Sequence, residues 1–132
     1  MILSDWTVRV YYEDTDAGGV VYHASYLRYL ERARTEWLRT LGYSQAVMRE
    51  ENSLVFTVVS LQLDFLRPAR LDDLLVVRSQ ATSPGGASVQ FVQEIWRDDA
   101  ALLKGQVRVA CLDARSFRPQ RLPASLREAL QS

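Results

Sequence analysis

Between Glu13 and His23 the sequence reads EDTDAGGVVYH, which gathers Glu13, Asp14 and Asp16, the pair Gly18 and Gly19, and the only histidine of the chain. Three kinds of chemistry compete for such a stretch. A calcium loop would use Asp14, Asp16 and Gly19 as its first, third and sixth positions, but Gly18 falls where the next ligand belongs and Ser25 where a bidentate glutamate is required. That reading fails. A purely structural reading makes the acids caps of the helix that follows and the glycines its turn; it accounts for Glu13 and Asp14 and leaves the glycines beside His23 unexplained. The third reading is a site for a polar carbonyl. A helix N-terminus offers unpaired N–H groups that hold a developing oxyanion. Glycines let backbone and substrate approach closely. A carboxylate such as Asp16, a few residues upstream, can attack the carbonyl or activate a water.

The elements that must position these groups follow from the hydrophobic period. Trp6 to Tyr12 (WTVRVYY) alternates as a half-buried strand does. From Tyr22 to Leu41 the apolar positions Tyr26, Leu30, Ala33, Trp37 and Leu41 recur at helical spacing, with Arg28, Glu31, Arg32, Glu36 and Arg39 opposite. Gly42 suits the left-handed cap that ends such a helix, and Ser44 suits the N-cap of a shorter helix over SQAVMREE. The runs SLVFTVVSLQLDFL, LLVVRSQATS, ASVQFVQEIWR and ALLKGQVRVACLD then read as strands, broken by RPARLDD, PGG and RDDA, and LPASLREALQS as a terminal helix entered at Pro123. Short connections favour antiparallel pairing. The outline is α+β: one strand, a long helix, then four strands in one antiparallel sheet bent around that helix. Its open edges call for protection, and pairing between subunits supplies it.

Composition narrows the class. The 132 residues suit a single domain, residues 1–132, with 48% apolar side chains and 16 acidic against 16 basic residues. Nothing in that balance points to a nucleic acid. No apolar run has membrane-spanning length and the start lacks a signal peptide's pattern, so a cytoplasmic protein is expected. Cys111 is alone, in the apolar run VRVACLD, and reads as a buried structural thiol. One histidine and one buried cysteine provide no metal-ligand set, so no metal is expected.

The run VRVYYEDTDAGGVVYHASYLRYLERARTEWLR, Val8 to Arg39, resembles the YbgC-like acyl-CoA thioesterases, a branch of the 4-hydroxybenzoyl-CoA thioesterase family, and RPARLDD and LPASL are similar to that branch too. The resemblance implies the hotdog fold, a long central helix wrapped by an antiparallel β-sheet, in subunits that pair as homodimers or homotetramers. It implies hydrolysis of acyl-CoA to free acid and CoA, with Asp16 as nucleophile or general base. It implies that His23 opens the helix and polarises the carbonyl through its backbone N–H, while its imidazole positions water or the leaving thiolate. Tyr12 matches a position lining the active site, where it binds substrate or Asp16; packing on the helix as a strand aromatic is its alternative role. Acyl groups on an acyl carrier protein would use the same site. A binding scaffold with little turnover, tied to envelope assembly through the branch's link to the Tol-Pal system, is the rival reading. Relatives meet the CoA phosphates with basic residues at the loop matching SPGGAS, which has none here. Arg67, Arg70 or a neighbouring subunit are the substitutes.

Overall fold

The computed structural model describes residues 2–83 and 85–131; Met1, Ser132 and Pro84 of the expected PGG turn lie outside the described residues. Five strands, β1 (Ile2–Arg9), β2 (Leu54–Phe65), β3 (Leu74–Thr82), β4 (Ser88–Arg97) and β5 (Ala100–Asp113), accompany three α-helices, α1 (Ser25–Thr40), α2 (Gln45–Asn52) and α3 (Ala124–Gln131). The strands form one sheet in the order β1-β3-β4-β5-β2, antiparallel at every pairing. This is the α+β hotdog arrangement, with α1 against one face of the sheet. β2 and β3 are consecutive in sequence but not neighbours in the sheet, so the RPARLDD segment carries the chain away from the β2 edge.

α1 forms because its apolar residues make one stripe. Tyr26, Tyr29, Leu30, Ala33, Trp37 and Leu38 are buried, spaced by three and four. Tyr29 and Leu38 widen the expected stripe, and Leu41 lies beyond the last turn. The helix begins at Ser25, behind Ala24, rather than at Tyr22. It ends as expected: Gly42 adopts φ +85°, and the Gly42 and Tyr43 N–H groups donate to the Arg39 and Leu38 carbonyls at 3.0 and 3.1 Å, the paired bonds of a Schellman motif. Ser44 occupies the N-cap of α2, but its side chain makes no capping bond there.

Under α1 the core divides in two. One cluster joins Tyr26, Tyr29 and Leu30 to Val10, Val21, Ala69, Leu75, Val77 and Ile95. The other joins Trp37 and Leu38 to Met48, Phe91, Val109, Cys111, Leu122 and Leu126, drawing on α2 and α3. Gln93, with no exposed surface, stands on the central strand β4. Its amide donates to the Leu30 carbonyl at 3.1 Å and the Ser79 hydroxyl at 3.0 Å, and its Oε1 accepts from Arg34 at 3.0 Å. A fully buried amide is tolerable because both ends are matched. Cys111 is buried, and burial pushes its thiol up to about 11, so it is not a nucleophile at neutral pH.

The β2 edge is apolar and uncovered. Phe65, Leu61 and Val58 pair with Leu103, Val107 and Val109, which are buried in the core, so all three share the helix-facing side of the sheet. They are nevertheless exposed, because α1 covers this edge only in part, Tyr26 meeting Phe65 at 5.6 Å between rings. A bulge between Val58 and Ser60 bends the strand locally.

Candidate active site

The loop ahead of α1 is ordered by its own backbone. β1 stops at Arg9, and Tyr12–Asp14 form a 3-10 turn. Asp14 is buried, and its Oδ2 accepts the Tyr11 N–H at 2.9 Å while its carbonyl accepts from Tyr22 at 2.8 Å. Asp14 therefore caps the 3-10 turn, not α1. Its charge also bears on the buried Tyr29 hydroxyl, which has no hydrogen-bond geometry with any described group; burial first, then Asp14, drive that phenol well above its ordinary range.

Beyond the 3-10 turn the chain doubles back. Thr15 and Val21 face each other as a bridge, the Asp16 N–H donates to the Val20 carbonyl at 2.9 Å, and the Gly19 N–H donates to the Asp16 carbonyl at 3.0 Å. Gly19 needs φ +80° for this turn. Gly18 serves a different end: its N–H donates to Asp16 Oδ1 at 2.8 Å, and a Cβ there would sit 3.1 Å from that oxygen. Asp16 is exposed, and among the described residues Oδ2 has no hydrogen-bond partner.

Residues far along the chain hold the hairpin in place. Val20 bridges Arg70, the Val21 N–H donates to the Ala69 carbonyl at 2.8 Å, and the Ala69 N–H donates to the Tyr26 hydroxyl at 3.0 Å. Arg97 anchors this segment from β4, contacting Asp73 at 2.7 Å and the Pro68 carbonyl at 3.3 Å. Burial opposes ionisation of Asp73, but the Arg70 N–H and the Arg97 guanidinium outweigh it and hold the carboxyl below the usual carboxylate range.

His23 is exposed, two residues before α1, with its ring against Tyr22 at 4.4 Å between centroids. It does not open the helix as expected; the mouth of α1 is a turn over His23 and Ala24, and among the described residues neither N–H has an acceptor. His23 lines a concavity of about 300 Å³ with Tyr26, Phe65, Leu66, Arg67 and Pro68. Asp16 reaches this region electrostatically. The Tyr26 phenol is raised, first by burial and in smaller part by Asp73 and Asp16, against the Ala69 bond and Arg97. No hydrogen bond joins the side chains of Asp16, His23 and Tyr12. Tyr12 is 82% exposed in its 3-10 turn, so it neither continues the strand nor packs on the helix. A wider concavity of about 800 Å³ opens between α2 and the start of β2, beside Arg49 and Phe117, and none of the loop's groups line it. Size does not mark the site.

Sequence reading missed Phe65 and Pro68 as neighbours of His23, and took Tyr26 only as an apolar helix position although its hydroxyl ties the loop to Ala69. A pairing across some forty residues leaves no local signal. Another long-range contact was equally hidden: the Arg121 side chain comes against Gly86, in the loop that carries no base of its own.

The chain carrying this loop, a long helix wrapped by an antiparallel sheet, matches known proteins over most of its length. The family model described as Thioesterase superfamily matches residues 18–104. An acyl-CoA thioesterase YbgC from Haemophilus influenzae is 48% identical over 122 residues, covering 92% of this chain and 90% of that protein. An acyl-CoA thioesterase YbgC from Helicobacter pylori is 35% identical, covering 94% and 97%. The crystal structure of a probable thioesterase from Bartonella henselae superposes with TM-score 0.88 at 34% identity, covering 92% of this chain and all of that one. The chain belongs to the Thioesterase superfamily, an enzyme class of thioester hydrolases. Among the described residues no helix is long and apolar enough to cross a membrane, and no group of three or more His, Cys, Asp or Glu could hold a metal ion.

Proposed function

We propose that this protein hydrolyses acyl-CoA thioesters to a free acid and CoA in the cytoplasm, with residues 1–132 acting as one unit and Asp16 supplying the anion. The observation that carries the reading is the short chain path between two groups: Asp16 on the Thr15–Val21 hairpin and the N–H groups of His23 and Ala24 where that hairpin enters α1, Asp16 Oδ2 and both N–H groups having no partner among the described residues. The thioester carbonyl lies at the helix mouth and points its oxygen at those N–H groups, which gain strength as charge develops on it. Asp16 removes a proton from water as the water oxygen bonds to the carbonyl carbon, or attacks that carbon itself and is freed by water afterwards. Collapse of the oxyanion breaks the C–S bond, and the thiolate leaves with the His23 imidazole beside it. Tyr12, exposed on the adjacent turn, hydrogen-bonds the substrate or Asp16.

Arg67, in the wall of the His23 concavity, and Arg121, beside Gly86, are positioned to meet phosphates of CoA. The uncovered apolar edge of β2 pairs with the same edge of a second copy, completing the pocket beside Phe65 in a homodimer or a homotetramer. Light scattering at micromolar concentration is expected to give at least a dimer; a stable, active monomer would refute the pairing. The functional test is steady-state turnover over a series of acyl-CoA chain lengths, with one acyl carrier protein thioester beside them. Saturable release of CoA is the expected result. Tight binding of acyl-CoA without turnover would replace the enzyme by a scaffold of the same fold.

A further inference from the structure

Half-way along α1 a charge enters the wall of the core. Arg34 is half-buried, with its guanidinium carbon 5.9 Å from the centroid of the Phe91 ring and one N–H donated to Gln93 Oε1 at 3.0 Å. Gln93 is itself pinned by its bonds to Leu30 and Ser79, so it holds the guanidinium in place. Among the described residues no carboxylate stands within ion-pair distance of Arg34, and Gln93 is its one hydrogen-bond acceptor. The remaining donors of its planar fork have no partner among the described residues and stay open to solvent. Burial pulls Arg34 below its ordinary value while Glu31, one turn earlier, opposes the fall.

Beside this group lies a cavity of about 120 Å³, walled by Glu31, Arg34, Trp37, Phe56, Val58 and Phe91. An apolar strip on β2 connects it to the candidate active site: Phe65, whose ring is 5.6 Å from that of Tyr26, then Leu61, then Val58, all on the helix-facing side. From Tyr26 to Arg34 the helix rises about 12 Å. A chain whose carbonyl sits at His23 and whose body follows this strip therefore ends at Arg34.

We propose that this cavity is the far end of the acyl pocket and that Arg34 selects acyl groups carrying a hydrogen-bond acceptor, above all a carboxylate, at the end remote from the thioester. The inference rests on the thioesterase reading and deepens it. A methyl terminus leaves the guanidinium desolvated with nothing to donate to. A carboxylate accepts two parallel N–H bonds from the same fork, a charge-assisted pairing that Lys could not reproduce. Sites built around an unmatched polar group discriminate strongly against ligands that leave it unmatched. Gln93 is the positioning residue, since it touches Arg34 rather than the ligand.

The experiment compares kcat/KM for acyl-CoA esters of equal length ending in methyl, hydroxyl or carboxylate, at hexanoyl, octanoyl and decanoyl length. Wild-type protein is expected to prefer the carboxylate over the methyl terminus by at least about tenfold at one of these lengths, with hydroxyl between them. Arg34→Met is expected to bring the ratio to about one, and Arg34→Lys to keep part of it. Equal or lower rates for the carboxylate series in wild type overturn the proposal. So does an Arg34→Met protein that loses both series alike or falls apart into monomers, the mark of an Arg34 that pairs with a second copy instead. Should Arg34→Met not fold, the wild-type ratio decides alone. Octanoyl-CoA turnover in the same preparation checks the parent reading separately: if no ester is hydrolysed, calorimetric binding of suberate against octanoate still tests Arg34.

Discussion

Toward its N-terminus α1 sets Tyr26, Tyr29 and Leu30 on a cluster that ends beneath the Tyr11–Ala24 loop, and toward its C-terminus it sets Trp37 and Leu38 on a cluster closed by α2 and α3. The first half carries polar atoms at its rim: the Tyr26 hydroxyl on Ala69, and the buried Asp14 near the Tyr29 hydroxyl. The second is sealed by apolar contacts, such as the edge-on packing of Trp37 on Phe91 at 5.1 Å. The loop end holds Tyr12, Asp16 and His23 in solvent, whereas the other end buries its large side chains. The proposed reacting groups and the sealed apolar packing thereby lie toward opposite ends of one helix, with the Gln93 layer between them.

Substitution at each end sharpens this division, and the largest effect is expected at the loop. Asp16→Asn keeps the size of the side chain and an oxygen for the Gly18 N–H, but removes the anion. Its kcat is expected to fall by roughly 10² to 10⁴, with the circular dichroism and melting temperature close to wild type because Asp16 is exposed. Near wild-type turnover in a folded Asp16→Asn protein would eliminate the mechanism, and loss of folding would make the residue structural.

At the sealed end the pattern inverts. Leu126→Ala empties a fully buried site in the same cluster and is expected to cost about 2–5 kcal/mol in denaturant unfolding, while kcat per folded molecule stays near wild type. A parallel loss of kcat in the folded fraction would mean that the two halves of α1 are coupled.

His23→Ala returns to the loop with a smaller expected effect, a fall in kcat of roughly tenfold, because the backbone N–H survives and only the imidazole is lost. Retention of full activity would restrict His23 to its backbone; a drop as deep as that of Asp16→Asn would make the imidazole the base.

Arg97→Met removes the anchor of the segment that clamps the hairpin, through an ion pair that is only partly buried. The expected cost is about 1–2 kcal/mol, between exposed pairs and fully buried ones. Asp73 is held below its unfolded value, so the pair contributes fully above the unfolded carboxylate range, near pH ~4, and its contribution is lost as pH falls through the folded value. Thermal melts of both proteins should therefore differ at neutral pH and converge in acid. A gap that persists undiminished at about pH 2 would assign the cost to lost packing of the Arg97 stem.

Much of this molecule is written in local pattern. The stripe Tyr26, Leu30, Ala33, Trp37 specifies α1 because helical geometry returns those positions to one face; Gly42 specifies its end; the β-branched runs specify four strands; and Asp16 and His23 share a loop because only six residues separate them in the chain. What tertiary structure alone decided lies between distant segments. The placement of β2 beside β5 at an edge, the seating of Ala69 and Arg70 on the hairpin, Arg121 against Gly86 and Arg34 on Gln93 are choices among alternatives that local propensity leaves equal in energy. Even Tyr12 follows this rule. Its strand-like alternation with Val8 and Val10 was sound as a pattern, but burying Asp14 under the Tyr11 N–H required the chain to turn there, and a buried acid bonded to the backbone outweighs three more residues of strand.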